Sequence, residues 1–278
     1  MNVILITTLT LGGLGLILAL IIYFVSQKFK VIEDPRIDQV EELLPAANCG
    51  GCGLPGCRAF AETLVKSDDI SNLICPVNSK EQMAKIAELL GKKAAVSEPK
   101  VAVVRCNGSS ENCPKINQYQ GAATCAIASA LYGGETNCSY GCCGLGDCVA
   151  ACKFDAIYMD KTTQLPIVIE EKCVACSACV KVCPKKLIEL RKVGPKSRRI
   201  YVCCMNKDKG AIAGKACSVA CIGCSKCLKE CKFEAIIMEN NLAYIDFNKC
   251  RICRKCVGVC PRNSIVELNF PMSKMVNE

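Results

Sequence analysis

The chain has 278 residues, of which 27 are cysteine, and it contains neither histidine nor tryptophan. The lack of histidine excludes imidazole-bound zinc or haem and any histidine general base. A disulfide scaffold would suit a short secreted chain, whereas this chain is long and has an odd number of cysteines. The formal net charge of +9 is compatible with nucleic-acid binding, but only 5% of the residues are aromatic and could stack on bases. We expect metal binding by thiolates alone and no nucleic-acid partner.

Residues 3–25 form an uncharged apolar segment of 23 residues. That exceeds the roughly 20 residues needed to cross the hydrocarbon core of a bilayer. The segment lacks the basic start and the small-residue cleavage site of a signal peptide. Lys28 and Lys30 follow it and nothing basic precedes it, which predicts a cytoplasmic location for the rest of the chain. Residues 1–27 are therefore predicted to be a single-pass anchor in a bacterial plasma (inner) membrane.

A first cysteine group lies in residues 34–98, which we expect to be a small domain ending in a helix over 84–96. Its spacing is C-x2-C-x4-C-x17-C, and glycines between the first cysteines allow a loop to curl so that several thiols face one centre. Such a group could hold a four-iron cluster or a zinc ion. The four candidate ligands are Cys49, Cys52, Cys57 and Cys75.

Two later segments carry the C-x2-C-x2-C-x3-C-P spacing of bacterial ferredoxins. In that pattern the first three thiolates hold one [4Fe-4S] cluster and the fourth crosses to a neighbouring cluster. The first run consists of Cys173, Cys176, Cys179 and Cys183, followed by Pro184. The second run consists of Cys250, Cys253, Cys256 and Cys260, followed by Pro261. Two independent copies make zinc an unlikely occupant and predict ferredoxin-like units.

Each run has an upstream partner, and the partners match each other at an offset of 79 residues. Cys221, Cys224, Cys227 and Cys231 precede the sequence KFEAI, while Cys142, Cys148 and Cys152 precede KFDAI. The downstream runs match at an offset of 77, so the chain carries a tandem repeat. We expect an α+β fold with one unit in 99–196, which also holds a cysteine-bearing leader, and the other in 197–270. Short strands are expected near 235–238 and 243–247.

The two copies differ where Leu145 replaces the counterpart of Cys224. We expect Cys138 to supply the missing ligand, while its counterpart Cys217 is either spare or competes with Cys224. The sets predicted for the first copy are Cys138, Cys142, Cys148 with Cys183, and Cys173, Cys176, Cys179 with Cys152. The sets predicted for the second copy are Cys221, Cys224, Cys227 with Cys260, and Cys250, Cys253, Cys256 with Cys231.

Apart from Cys217 and from Cys143, which we interpret as a bystander, five cysteines remain outside these five predicted clusters. A sixth cluster could use Cys106, Cys113 and Cys125 with one thiol of the Cys203–Cys204 pair, for which we favour Cys204. The alternative is a group of buried structural thiols. Six oxidised clusters at about −2 each would lower the net charge to about −3, which gives the excess of Lys and Arg a compensating role.

The order of anchor, first cysteine group and tandem units resembles the B-subunit family of Rnf electron-transport complexes, in its long form. The resemblance covers essentially the whole chain and is carried by NCGGCGLPGC (48–57), CSYGCCGLGDCVAACKFDAI (138–157), VCCMNKDKG (202–210) and CSVACIGCSKCLKECKFEAI (217–236). One departure is that Lys153 and Lys232 stand where the family usually has proline.

The resemblance implies an iron–sulfur relay between reduced ferredoxin and membrane partners, in a complex that couples electron transfer between ferredoxin and NAD to Na+ or H+ movement. It implies soluble ferredoxin and other membrane and cytoplasmic subunits as partners, and no substrate-converting site in this chain. The alternatives are a polyferredoxin subunit of a different membrane reductase, a catalytic iron–sulfur protein and a structural zinc protein. Every recognisable set has four thiolates, which leaves no open coordination position for a substrate.

Overall fold

A long apolar helix begins the chain in the computed structural model, which describes residues 3–28, 34–93 and 98–271. Helix α1 (Val3–Lys28) is long and apolar enough, over Leu5–Lys28, to cross a membrane, and none of it is buried against the rest of the chain. Its large side chains are exposed because the protein offers them no apolar partner. Lys30 and residues 94–97, which entered the predictions of sidedness and of the first domain's end, lie outside the described residues.

The four-cysteine domain is a small helical unit with its own core. Its helices are α2 (Arg36–Glu42), α3 (Cys57–Lys66) and α4 (Lys80–Leu89). Phe60 and Leu64 of α3 are almost fully buried. The helix expected over 84–96 instead begins after Ser79, whose hydroxyl accepts from the backbone N–H of Gln82 at 3.1 Å, and it ends before Gly91. The expectation missed this N-cap and extended the helix past a glycine with φ of +65°.

In the first ferredoxin-like unit, the first and last strands pair with each other. Its elements are β1 (Lys100–Val104), α5 (Cys125–Tyr132), α6 (Asp147–Ala150), β2 (Ile157–Met159), β3 (Pro166–Val168), α7 (Ala178–Val182) and β4 (Ile188–Lys192). Strand β1 pairs antiparallel with β4, from Lys100 opposite Lys192 to Val104 opposite Ile188, and β2 pairs with β3. The segment between β1 and Cys142 is therefore a long insertion inside the unit.

The second unit repeats this architecture without the long insertion. Its elements are β5 (Arg199–Val202), α8 (Gly210–Ala216), α9 (Lys226–Glu230), β6 (Ile236–Glu239), β7 (Leu242–Ile245), α10 (Lys255–Gly258) and β8 (Ile265–Leu268). Strand β5 pairs antiparallel with β8, and β6 with β7. The β6–β7 hairpin turns at Asn240 and Asn241, which both have positive φ as a type I′ turn requires.

Buried arginines join the two units between their terminal strands. Arg191 of β4 is 1% exposed and its guanidinium lies 5.3 Å from the ring centroid of Tyr244 in β7. Arg105, 5% exposed, donates to the carbonyl of Val202 in β5 at 3.2 Å and pairs with Glu189 of β4 at 3.4 Å. Such contacts require both units in a fixed relation, because separating them would leave buried charges without partners.

Candidate iron–sulfur centres

Four loops of the tandem units share one backbone conformation. In each loop, the residue before the second cysteine position and the residue after it have positive φ. These pairs are Gly144 and Gly146, Ala175 and Ser177, Gly223 and Ser225, and Ile252 and Arg254. A left-handed conformation costs about 1–3 kcal/mol in a residue with a side chain, so it persists where the surrounding structure demands it. Alternating conformations of this kind turn successive N–H groups to one side and create a concave site for an anion.

Three of these loops surround their site with the cysteines that the spacing predicts. Cys221, Cys224, Cys227 and Cys260 line one cavity, which we name set V. Cys231, Cys250, Cys253 and Cys256 line another, named set VI. Cys152, Cys173, Cys176 and Cys179 lie within mutual electrostatic range and form set II. The structure thus brings together all three groups of thiols that were expected to act as units.

The fourth loop, which carries Leu145, gathers a different set from the one expected. The cavity around it is lined by Cys125, Cys142, Cys143, Cys148 and Cys183. Cys138, the expected fourth ligand, lines another cavity instead. We name Cys125, Cys142, Cys148 and Cys183 set III.

Asp147 explains how Cys125 reaches set III. Its carboxylate accepts from the backbone N–H groups of Cys125 at 2.9 Å and Ala126 at 3.3 Å, at the first turn of α5. A carboxylate at this position accepts hydrogen bonds from N–H groups that would otherwise be unpaired, and its negative charge is stabilised by the positive N-terminal end of the helix dipole. Because Asp147 directly precedes Cys148, the same contact brings Cys125 to the Leu145 loop.

The long insertion contributes to a site between the two units. Its cavity is lined by Cys106, Cys113, Cys138, Cys203, Cys204 and Cys217. Cys106 and Cys113 therefore lie in one site, as expected for the sixth cluster, whereas Cys125, the third expected ligand, lies in set III. A Cβ built on Gly108 would lie 3.3 Å from Cβ of Cys113, 3.6 Å from Sγ of Cys106 and 3.8 Å from Sγ of Cys217.

Cys138 and Cys217 occupy equivalent positions in the two repeats and meet at this site. The side-chain amide of Asn206, 1% exposed, donates to Sγ of Cys138 at 3.3 Å. A thiol hydrogen bond with Cys217 is the main cause that lowers the pKa of Cys113. Cys106, Cys113, Cys138 and Cys217 are named set IV. Cys203 and Cys204 also border the cavity. Sγ of Cys203 donates to the carbonyl of Val104 at 3.4 Å, and Sγ of Cys204 accepts from the backbone N–H of Asn206 at 3.4 Å.

The first cysteine group, set I, is held by the loop before α3. The side chain of Asn48 accepts from the backbone N–H of Cys57 at 2.7 Å, which ties the two ends of the loop together. Cys75 lies within electrostatic range of Cys52 and Cys49. These contacts bring Cys49, Cys52 and Cys75 together and hold the backbone of Cys57 at the start of α3; set I denotes these four cysteines.

Backbone N–H groups point at several of these sulfurs. Leu187 donates to Sγ of Cys183 at 3.3 Å, and its counterpart Ser264 donates to Sγ of Cys260 at 3.3 Å. Ala156 likewise donates to Sγ of Cys152 at 3.4 Å. Donors of this kind stabilise a thiolate and tune the reduction potential of a cluster bound to it.

Burial makes several of these thiols poor acids in the absence of metal. It raises the pKa of Cys142, Cys179 and Cys256 to about 12 in each case, and repulsion between neighbouring thiolates adds to the shift. Ligation requires thiolates, so an incoming metal has to displace these protons. A cationic cluster core supplies the compensating charge that the protein itself does not.

The curled loops and the N–H donors to sulfur are typical of sites that hold four-iron clusters. Across the ranges 3–28, 34–93 and 98–271, no three or more Cys, Asp or Glu side chains converge on a point that could hold one metal ion.

The six sets follow one another as neighbours in a series. Next to burial, repulsion from a cysteine of an adjoining set contributes to several of the raised pKa values. The residues that bridge adjoining sets in this way are Cys49 with Cys176, Cys148 with Cys179, Cys106 with Cys142, and Cys227 with Cys256. Sets IV and V are linked indirectly, because Cys204, which belongs to neither set, lies within electrostatic range of both Cys138 and Cys221. The order of neighbouring sets is therefore I, II, III, IV, V and VI.

Comparisons with known proteins agree with this picture of the sites. A family model for an Fe-S cluster matches residues 44–72, one for a 4Fe-4S binding domain matches 166–189, and one for a 4Fe-4S dicluster domain matches 220–265. These matches support [4Fe-4S] clusters in the two ferredoxin-like units and an iron–sulfur cluster in the four-cysteine domain.

Relatives cover nearly the whole chain. It is 43% identical to the B subunit of the Na+-translocating ferredoxin:NAD+ oxidoreductase complex of Acetobacterium woodii, over 95% of this chain and 78% of the relative. It is 39% identical to the B subunit of the ion-translocating oxidoreductase complex of Methanosarcina acetivorans, over 92% and 95%. It is also 39% identical to the B subunit of the proton-translocating ferredoxin:NAD+ oxidoreductase complex of Clostridium ljungdahlii, over 95% and 93%.

These matches and the apolar α1 indicate a membrane-associated protein that has other subunits as partners. The chain belongs to the B-subunit family of Rnf ion-translocating ferredoxin:NAD oxidoreductase complexes, and its role in such a complex is that of an iron–sulfur electron relay.

Proposed function

We propose that the chain holds six [4Fe-4S] clusters, one in each of sets I to VI. The assignment keeps Cys49, Cys52, Cys57 and Cys75 and the three predicted sets II, V and VI. It differs from the sequence expectation at Cys125, which joins set III, and at Cys138 and Cys217, which join set IV. It also leaves Cys204, the expected fourth ligand of the sixth cluster, outside the six sets. When bound, the clusters supply one-electron redox chemistry. The polypeptide contributes their order, their insulation from water and the N–H donors at their sulfurs.

The relay runs from the second ferredoxin-like unit towards the membrane. Reduced soluble ferredoxin delivers electrons at the outer end of the series, and set I passes them to membrane partners. The observation that carries this proposal is the unbroken series of neighbouring sets, since electron transfer needs short steps. Set I belongs to the domain that follows α1 directly in the sequence, and set VI lies at the opposite end of the series.

The other functions of the complex fall to its partners. The apolar segment of α1 carries no charged residue at membrane depth and provides no ion pathway. The sequence contains no strand followed by a G-x-G-x-x-G turn that would suggest a nicotinamide site. Flavin and NAD chemistry and the movement of Na+ or H+ are therefore assigned to other subunits. The chain has a single-pass anchor, with its bulk on the cytoplasmic side of a bacterial plasma membrane.

A Cys52→Ala variant of the assembled complex tests the direction of this relay. Loss of the Cys52 thiolate should abolish NAD reduction by ferredoxin, while the remaining sets stay reducible by ferredoxin. Cys203→Ala is the matched control, because Cys203 is a buried cysteine outside the six sets. Normal NAD reduction by Cys52→Ala would show that electrons do not leave through set I. If the outer sets can no longer be reduced, electrons enter through set I and the direction is reversed.

A further inference from the structure

The tandem repeat gives the chain two copies of one surface, around set II and around set VI. In the first unit this surface is covered by the four-cysteine domain. A Cβ built on Gly51 would lie 3.0 Å from Cα of Cys176, so the loop of set I touches the loop of set II with no room for a side chain. Lys153 and Lys181 fasten the loop by donating to the carbonyls of Asn48 at 3.2 Å and Gly50 at 3.4 Å.

The contact in the first unit is thus an iron–sulfur domain docked on a ferredoxin-like unit. Cys176, at the centre of the contact, is only 9% exposed. The residues beside it are small or neutral, namely Val174, Ala175, Ser177 and Ala178. Small side chains permit the backbones to approach closely, and close approach brings the two sets within one short step.

The second copy of the surface has no cover within the described part of the chain. Cys253, the counterpart of Cys176, is exposed. Phe233 is 45% exposed, whereas its counterpart Phe154 is half-buried. Lys232, the counterpart of Lys153, is exposed and has no hydrogen-bond or ion-pair partner among residues 34–93 and 98–271. The residues that contact the four-cysteine domain in the first unit therefore have counterparts in the second unit, and these counterparts are exposed.

The open surface carries two basic side chains at positions where its copy has uncharged ones. Arg251 and Lys255 stand at the positions of Val174 and Ala178, are exposed, and line the cavity of set VI together with Phe233. Lys229 and Lys249 lie within two residues of other cysteines of the set. None of these cations pairs with a carboxylate in the described ranges. The nearby acidic residues are Glu230, Glu234, Asp246 and Glu267, and Glu267 pairs with Arg254.

We propose that this surface around Cys253 is the docking site of a small acidic iron–sulfur electron carrier, which approaches set VI as the four-cysteine domain approaches set II. The proposal rests on the relay function above and identifies where its donor binds. Unpaired cations at the rim attract an acidic partner and accelerate encounter, while Phe233 provides an apolar contact at the centre. The basic side chains that replace small ones also disfavour a second copy of the four-cysteine domain, whose loop needs close backbone approach.

Charge reversal at the rim tests the docking site. The probe is a purified acidic two-cluster ferredoxin, measured first as binding of its oxidised form to the full-length protein in detergent. The double variant Arg251→Glu/Lys255→Glu should weaken binding at low ionic strength at least about tenfold and flatten its salt dependence. The matched control Lys80→Glu/Lys161→Glu changes two exposed lysines, one in α4 of the four-cysteine domain and one between β2 and β3 of the first unit, by the same total charge and should bind as the wild type does.

A second readout separates this proposal from the relay function. Reduction by a small uncharged photoreductant should be the same in wild type, variant and control, while reduction by ferredoxin should slow at least about tenfold in the variant alone. If the charge-reversed protein loses iron, Arg251→Gln/Lys255→Gln replaces it and should still slow ferredoxin at least about threefold. Equal rates in variant and control would overturn the docking site. A wild-type protein that no reductant can reduce would instead overturn the relay function.

Discussion

The loop that carries Leu145 allows the ligand assignment of set III to be tested by loss and rescue. Cys125 supplies the thiol that Leu145 lacks, and Cys143 lies within hydrogen-bond reach of Cys125. Because Cys143 could replace its neighbour, the test starts from the double variant Cys125→Ala/Cys143→Ala. That variant should lose one four-iron cluster, or about 4 of about 24 iron atoms. Cys143→Ala alone should keep all of them.

Rescue should follow from adding Leu145→Cys to the double variant. The flanking residues Gly144 and Gly146 have φ of +73° and +82°, close to the +66° and +58° of Gly223 and Ser225 around Cys224. The backbone is therefore already shaped to aim a thiol from position 145 into the cavity. Anaerobic iron analysis and EPR of the reduced protein should show the lost cluster restored. The reasoning is refuted if the double variant retains its iron, or if position 145 rescues Cys138→Ala instead.

Three further predictions concern the four-cysteine domain and the anchor. Gly51→Ala should strain the contact with Cys176 by about 1–3 kcal/mol and should slow electron arrival at set I, measured by rapid-freeze EPR. Gly258→Ala is the control, because its added Cβ meets nothing within 4 Å. Equal rates of electron arrival in the two variants would contradict the contact. Leu64→Ala, at a fully buried position, should destabilise the domain by about 2–5 kcal/mol, measured by denaturant unfolding, and a loss below about 1 kcal/mol would argue against the core described. Deleting residues 1–27 should give a soluble brown protein, and a truncated protein that still sediments with membranes would reveal a second membrane contact.

Cysteine spacing predicted those ligands that lie close together in the sequence. The C-x2-C-x2-C-x3-C-P runs, the first three cysteines of the four-cysteine group and the hairpin of the second unit depend on residues within a few positions of each other. The glycine-rich spacing around Cys49 and the repeat at 77–79 residues were sufficient signals. The three ferredoxin-type sets with complete spacing therefore came together as expected.

The remaining ligands depend on tertiary contacts that no spacing encodes. Cys125 and Cys138 precede the Leu145 loop, and each matches a cysteine 79 residues later, so the repeat could not choose between them. The choice depends on Asp147, whose carboxylate holds the first turn of α5. Only the comparison with Lys226, which stands at the same position of the second copy, hinted that Asp147 has a role of its own.

The central claim is that six four-iron clusters form a continuous series, and anaerobic iron analysis combined with EPR of the full-length protein tests it most directly. Six clusters predict about 24 iron atoms per chain, charge-transfer absorption in the visible region, and EPR signals that appear on reduction and show magnetic interaction between neighbouring clusters. A count near 20 would remove the cluster assigned to set IV, and a count near 16 would also remove one of the five others. A colourless, EPR-silent protein would contradict the iron–sulfur relay altogether.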